Sequence, residues 1–399
     1  MYIKRIAENQ LINLLDNPKV IIMLGARQVG KTTLIKRILR KYQGIILNLD
    51  IEVDKDRLLT ISHMAPIDAM KNLGNPPIFI VDEAQRLPET GRIIKGWFDS
   101  NVNTKIILLG SSSLNLLDQS AESLTGRNIK LYLPPLLFSE ILSVQSWYSK
   151  EMTPKLLKEN MSNQLNSLIN EQMIFGAYPE SVVTAQKEQY LLNLVSDYLL
   201  KDIFQSTLIK STEKVKKLLM LLAYQVGNEV SLSELATQLE ISRITVEKYI
   251  DLLERSFVIF RLPAFSSNLR KEIVKSSKIF FWDTGVRNAL IKEFNYSTLR
   301  ADIGQLWENW VITEFAKKNL LEGQQNNLYF WRTMSGSEVD LVIKGSKAFK
   351  AYEIKWSKTK VAIGKAFSMR YKIPVEIINR ENIVKYLGLW GNELGHQER

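Results

Sequence analysis

The spacing of apolar residues divides the chain into stretches of different period. Residues 19–24 (KVIIML), 44–49 (GIILNL), 77–82 (PIFIVD) and 105–110 (KIILLG) are short, β-branched and almost wholly apolar. Central strands buried on both faces of a parallel sheet have this pattern. A glycine-containing segment follows the first run, and TTLIKRILRKY after it has helical spacing, so the chain opens as strand, loop and helix. Residues 1–145 are therefore expected to form one doubly wound α/β domain with a parallel sheet.

Beyond this the period changes. Residues 146–210 space their apolar positions as helices, interrupted at Gly176-Ala177-Tyr178-Pro179, and predict a helical connector. Residues 211–265 predict three helices and a β-like run, VIFRL, closed by Pro263, which suits a small winged helix-turn-helix. The last stretch, 266–399, begins with the basic segment Asn268–Lys278 and the apolar IFFW. It continues with a helix over about 304–320 and strands at 328–332, 338–343 and 349–356, so a second α/β domain is expected. No internal repeat or low-complexity tract interrupts the series.

Composition narrows the chemistry. Among 399 residues there is no cysteine, and the only histidines are His63 and His396. Disulfides, thiolate metal sites, cysteine nucleophiles and multi-histidine zinc sites are thereby excluded. Any metal must be held by oxygen, which points to magnesium or manganese. The N-terminus is broken by charge every few residues, and no run of about 18 apolar residues occurs anywhere. A soluble, cytoplasmic protein with no membrane partner is expected. The net charge of +11, from 53 basic and 42 acidic residues, favours a polyanionic partner, although many basic proteins owe their charge to solubility alone.

Gly25-Ala26-Arg27-Gln28-Val29-Gly30-Lys31-Thr32 matches G-x-x-x-x-G-K-[ST] at every fixed position, between a strand and a helix as the mechanism requires. Backbone N–H groups of Gly25 to Thr33 would cradle phosphates at a helix N-terminus. Lys31 would reach the β- and γ-phosphates and Thr32 would bind Mg2+, making ATP with Mg2+ the expected ligand. Asp82 and Glu83 end the apolar strand IFIVD. Asp82 is expected on the metal and Glu83 on the attacking water, the alternative being a solvated strand end. Ser111, Ser112 and Ser113 are γ-phosphate sensors or simple turn residues. Arg127 is an arginine finger, in cis or on a neighbouring copy, or a surface residue.

GARQVGKTTL, IFIVDEAQR, LLGSSSLNLL, SLTGR and LPPLLFSEI, continued by GAYPES, SKIFFWDTGV, GQLWENWV and YFWRTMSGSEVDLVI, resemble a prokaryotic group of AAA-type ATPases that carry an uncharacterised C-terminal domain. The resemblance covers nearly the whole chain. It implies nucleotide roles for Lys31, Thr32, Asp82 and Glu83.

Two further constellations lie downstream. Ser231 to Leu253 reads as two capped helices joined by a tight turn, with Leu235, Ala236, Leu239, Ile241, Val246 and Ile250 packing inward and Ser242 capping the second helix. Arg243, Thr245 and Lys248 would then face a DNA major groove, unless the module docks a protein. Near the C-terminus Glu353 and Lys355 alternate onto one strand face. Asp340 and Glu308 are expected to join them around a second Mg2+ or Mn2+, with Lys355 acting on a water. This set resembles the PD-(D/E)XK nuclease fold, a restriction-endonuclease-like α/β domain. A degenerate module that binds without cutting is the competing reading.

The expected function is an ATP-hydrolysing switch coupled to modules that engage nucleic acid, DNA ahead of RNA. The alternative is a signalling or scaffold ATPase with protein partners. A homo-oligomer fits either reading, and a kinase is weaker, because no acceptor-substrate pocket is marked.

Overall fold

The computed structural model describes residues 1–111, 124–198, 209, 211–266, 277–296, 300–333, 336–346, 349–357 and 365–387. Five strands, β1 (Val20–Leu24), β2 (Gly44–Asn48), β3 (Ile78–Asp82), β4 (Lys105–Gly110) and β5 (Asn128–Tyr132), form one sheet in the order β2-β3-β4-β1-β5. Every pairing in it is parallel. The four apolar runs supply four of these strands. The fifth, NIKLY, is a half-polar edge strand that apolar spacing does not mark.

Both faces of the sheet are covered, and the period of two sorts the side chains between them. Ile21, Met23, Ile80, Ile107 and Leu109 pack with Leu11 of α1 (Ile6–Leu14) and Leu34 and Ile38 of α2 (Lys31–Ile38). Val20, Ile22, Phe79, Val81 and Leu108 pack with α3 (Glu52–Ser62), α4 (Pro66–Asn72) and α5 (Thr90–Asp99). A parallel sheet needs this double cover, which is why its strands read as continuous apolar runs.

The chain leaves β5 through α6 (Phe138–Leu142) and enters the helices α7 (Pro154–Asn160), α8 (Ser162–Phe175), α9 (Pro179–Val183) and α10 (Lys187–Asn193). Next come α11 (Thr212–Tyr224), α12 (Leu232–Leu239) and α13 (Arg243–Arg255), then β6 (Ile259–Pro263), which pairs antiparallel with β7 (Ser277–Phe281). The IFFW run thus completes a ribbon begun before residue 265, so the expected break at 265/266 divides paired strands. After α14 (Thr284–Ile291) comes α15 (Ile303–Leu321), with β8 (Asn326–Arg332), β9 (Glu338–Gly345), β10 (Phe349–Ile354), α16 (Lys365–Tyr371) and β11 (Val375–Ile378). Their sheet runs β11-β10-β9-β8, with only β10 and β11 parallel.

These units are not beads on a string. One apolar cluster runs from Ile21 under the first sheet through Leu218 of α11, Ile250 of α13 and Trp307 of α15 to Ile354 of β10. No helix among the described residues is long and apolar enough to cross a membrane.

Candidate functional site

The glycine loop joins the buried end of β1 to α2. A Cβ on Gly25 would lie 2.2 Å from the carbonyl oxygen of Leu133, so only glycine fits where the chain leaving β5 crosses the loop. Gly30 adopts φ +95° at the head of α2, a backbone region that favours glycine. Lys31 is buried and its Nζ donates to the carbonyl oxygens of Gly25 and Ala26, both at 2.8 Å, which puts the ammonium inside the loop. Outside contacts brace it. Arg5 donates to the Val29 carbonyl at 2.8 Å, and the Tyr190 hydroxyl to Gln28 Oε1 at 2.9 Å.

Thr32 Oγ1 donates to Asp82 Oδ2 at 2.7 Å, linking the first turn of α2 to the end of β3. Asp82 Oδ1 accepts from the Glu83 N–H at 2.9 Å. Glu83 itself has φ +52°, unusual for a non-glycine residue, and strain of this kind gathers at functional sites. Its carboxylate is held by two neighbours. Gln85 Nε2 donates to Glu83 Oε2 and, at 2.9 Å, to Ser111 Oγ, while Ser111 Oγ lies 3.3 Å from Glu83 Oε2. A carboxylate only accepts, which fixes the amide nitrogen toward Glu83 and leaves Gln85 Oε1 buried with no partner among the described residues. Gln85 is a site residue that sequence reasoning missed, although it stands in the DEAQ string two positions after Glu83.

The structure thus brings Lys31, Thr32, Asp82, Glu83 and Ser111 to one sheet edge. Ser112 and Ser113 lie outside the described residues. Arg127 is not brought there. It precedes β5, its carbonyl accepts from the Val20 N–H, and its Nε donates to Asp99 Oδ1 at 2.6 Å. Five strand residues at about 3.3 Å each separate it from the loop by roughly 15 Å, so the cis arginine-finger reading is corrected. A buried lysine inside the loop, a Thr–Asp pair across it and an orphan acceptor beside it fit a nucleoside triphosphate with magnesium.

In the helix pair, Ser242 Oγ accepts from the Thr245 N–H at 3.1 Å, capping α13, and Glu240 turns the chain at φ +52°. Arg243 and Lys248 are exposed, together with Ile244. Thr245 is only half-exposed and its hydroxyl pairs with Ser242 Oγ at 2.8 Å, so it belongs to the cap more than to the outward face.

The C-terminal residues Glu308, Asp340 and Lys355 line one polar cleft of about 390 Å3 with Lys278, Arg332 and Glu338. Lys278, read from the sequence as the end of a basic stretch leading into an apolar strand, is buried and lies 3.0 Å from Glu308 Oε1 and 2.6 Å from Glu338 Oε1. Burial alone would lower its pKa, yet Glu308, Asp340 and Glu338 hold it above the ordinary lysine range. Burial pushes the Glu308 carboxyl up to about 7, with Lys278 pulling it back and Asp340 adding to the rise. Lys355 Nζ lies 2.7 Å from Glu353 Oε1 and 3.5 Å from Asp340 Oδ2. Asp340 Oδ2 also accepts from the Ile354 N–H at 2.7 Å. The carboxylates are therefore shared between two ammonium groups. Among the described residues no group of three or more acids or histidines is placed to hold a metal ion, so the donor set as it stands does not fit the expected second Mg2+ or Mn2+.

A family model described as AAA domain matches residues 17–142. Models described as Domain of unknown function (DUF8612) and Domain of unknown function (DUF4143) match 166–303 and 303–386. An uncharacterised protein of Mycobacterium tuberculosis is 26% identical over 362 residues, covering 89% of this chain and 74% of its own length. An uncharacterised protein of Methanocaldococcus jannaschii is 27% identical over 349 residues, covering 84% and 74%. Among solved structures, a Walker-type ATPase of Pyrococcus abyssi matches 73% of this chain and 96% of that one, at 18% identity and a TM-score of 0.51. The chain contains an AAA-type P-loop ATPase domain, a class that takes ATP with Mg2+.

Proposed function

We propose that the chain is an ATP-hydrolysing switch whose nucleotide state is passed from the glycine loop to C-terminal units that engage nucleic acid, DNA ahead of RNA. The observation that carries the ATPase half is the Thr32–Asp82 pair with Glu83 held beside it. Thr32 and Asp82 are the residues that would hold Mg2+, whose positive charge would offset the charge developing on the phosphates. Lys31 and the N–H groups of residues 25–33 bind and orient the phosphates, while Glu83 accepts a proton from the attacking water.

Gln85 fits as its second anchor, because its buried Oε1 can accept from the same water. Gln85→Ala is expected to lower kcat by about 10- to 100-fold with little change in KM, since misplacing a reacting group costs on that order. Steady-state hydrolysis checks this, and an unchanged kcat would detach Gln85 from the reaction.

Coupling is supported by contacts of the connector with the loop. Tyr190 of α10 bonds Gln28, and Pro179 of α9 lies 3.9 Å from the point where a Gly30 Cβ would stand. The loop after β5 is held by α15, where Lys317 Nζ donates to the Leu136 carbonyl at 3.0 Å and Glu314 Oε2 accepts from the Phe138 N–H at 2.9 Å. Helices α11 to α13 with the β6–β7 ribbon read as a winged helix-turn-helix presenting Arg243 and Lys248. The C-terminal unit reads as a nuclease-like fold that binds without cutting. In a cytoplasmic homo-oligomer, Arg127 could serve as a finger only for a copy docked against the sheet edge opposite the loop.

The test is ATP hydrolysis with and without duplex DNA, single-stranded DNA and RNA, alongside binding over a salt series. Stimulation by nucleic acid is expected, with affinity falling steeply as salt rises. Changing Arg243 and Lys248 together to glutamate should weaken that binding. Intact hydrolysis with no response to any nucleic acid favours the alternative, a signalling or scaffold ATPase with a protein partner. One observation speaks for that alternative: Ile244, between the two basic residues, is 67% exposed.

A further inference from the structure

The acidic cleft is organised around a side chain that no nucleotide or nuclease reading uses. Lys278 stands on β7, which belongs to the ribbon, while its partners Glu308 and Glu338 stand on α15 and β9. The lysine side chain is only 5% exposed, although lysine is almost never buried unless paired. Its ammonium sits between the two carboxylates, with a third, Asp340, lining the same cleft. The backbone of β7 is tied in as well, through a bridge between Lys278 and Glu229.

A divalent ion would ask something different of these residues. Magnesium takes oxygen ligands at about 2.0–2.1 Å in near-octahedral geometry, so several carboxylate oxygens must converge on one point. Here they diverge onto two centres, Glu308 and Glu338 onto Lys278, and Asp340 and Glu353 onto Lys355. An ammonium carries its own positive charge and three donors, and so pairs with Glu308 and Glu338 where a metal would otherwise have to, while Glu353 Oε2 stays buried with no partner among the described residues.

We propose that Lys278 is the resident cation of this cleft: its ammonium stands in the place of a divalent ion, fastens the β6–β7 ribbon to α15 and β9, and keeps the cleft free of metal. Removing the charge while keeping the apolar stem leaves Glu308 and Glu338 uncompensated, with Asp340 lining the same cleft, and so open to rearrange around a hard divalent cation. This inference does not rest on the ATPase reading.

The test is Mn2+ binding by the full chain, followed by electron paramagnetic resonance of the free ion. An Asp82→Asn background removes the metal ligand at the glycine loop. With Lys278 intact, no Mn2+ uptake sensitive to Glu308→Gln is expected. Lys278→Met should bind Mn2+ at least about tenfold more tightly, a difference of about 1.4 kcal/mol, and adding Glu308→Gln should abolish the gain. Lys278→Arg, which keeps the charge, should behave as the parent. Two results overturn the proposal: Mn2+ uptake by the parent that Glu308→Gln or Asp340→Asn weakens, or a folded Lys278→Met chain that gains no affinity. The first needs no Lys278 variant, so it decides the matter even if Lys278→Met fails to fold.

Discussion

Replacing Glu83 by glutamine is expected to lower kcat for ATP hydrolysis by about 100- to 10,000-fold, the range that a positioned general base contributes, while ATP still binds. The geometry explains why the loss should fall on the chemical step. The substituted amide keeps an oxygen that can accept from Gln85 Nε2 and Ser111 Oγ, which hold the carboxylate. Its position is preserved and only its basicity is lost. Lys31→Ala gives the contrasting pattern, because the ammonium lies inside the phosphate loop and its loss should weaken nucleotide binding itself. Single-turnover hydrolysis alongside equilibrium binding of a fluorescent ATP analogue separates the two variants. If Glu83→Gln hydrolyses ATP as fast as the parent, Glu83 is a strand-end residue and the base lies elsewhere.

What the sequence revealed and what it hid follow from the range over which each feature is determined. The glycine loop is local: Gly30 needs its left-handed φ, Lys31 opens α2, and the apolar β1 precedes them within one short stretch. Asp82 and Glu83 were singled out because the upstream glycine loop gives two carboxylates at a strand end a use, whereas alone such a pair is usually a solvated turn. Arg127 was misplaced because the following strand, β5, is half polar and escaped detection. Without β5 nothing indicated that Arg127 stands just before a strand, at the end of the sheet away from the loop. Gln85 was hidden more simply, since an amide near a strand end has no signature until Ser111, 26 residues later, is brought beside it.

The C-terminal half shows the same division. The strands β8, β9 and β10 and the helix α15 could be anticipated from period alone, and Glu308, Asp340 and Lys355 do line one cleft. Lys278 was read only as the end of the basic stretch Asn268–Lys278, which gave no sign of its burial. Its carboxylate partners lie 30 and 60 residues away, on α15 and β9. Domain limits were hidden for a related reason. When Leu218, Ile250, Trp307 and Ile354 share one apolar cluster with Ile21, apolar spacing reports helices and strands but not where one unit stops.

Arg5→Ala should destabilise the chain by about 3–5 kcal/mol, the cost of removing one partner of a buried ion pair, and should raise KM for ATP. Arg5 and Glu140 are 4% and 3% exposed, and Arg5 Nε lies 3.1 Å from Glu140 Oε2. The guanidinium also donates to the carbonyl oxygens of Val29 at 2.8 Å and Pro134 at 2.6 Å. Glu140 in turn accepts from the N–H groups of Ile6 at 2.6 Å and Leu137 at 2.9 Å. Removing Arg5 therefore takes the counter-charge from a buried carboxylate and a donor from two carbonyls, one of them in the phosphate loop. A solvated pair would contribute only about 0–1 kcal/mol, so the two cases are well separated. Urea unfolding of Arg5→Ala, Glu140→Ala and the double variant measures the difference. The double variant should lose less than the sum of the singles, because each single leaves its partner uncompensated. Adding ATP with Mg2+ to the same titration tests the functional half. If Arg5 braces Val29, the ligand should stabilise Arg5→Ala less than the parent at equal concentration, because stabilisation by a ligand scales with its affinity for the folded form. A loss of less than about 1 kcal/mol with unchanged ligand stabilisation would show that this buried network behaves as an exposed one.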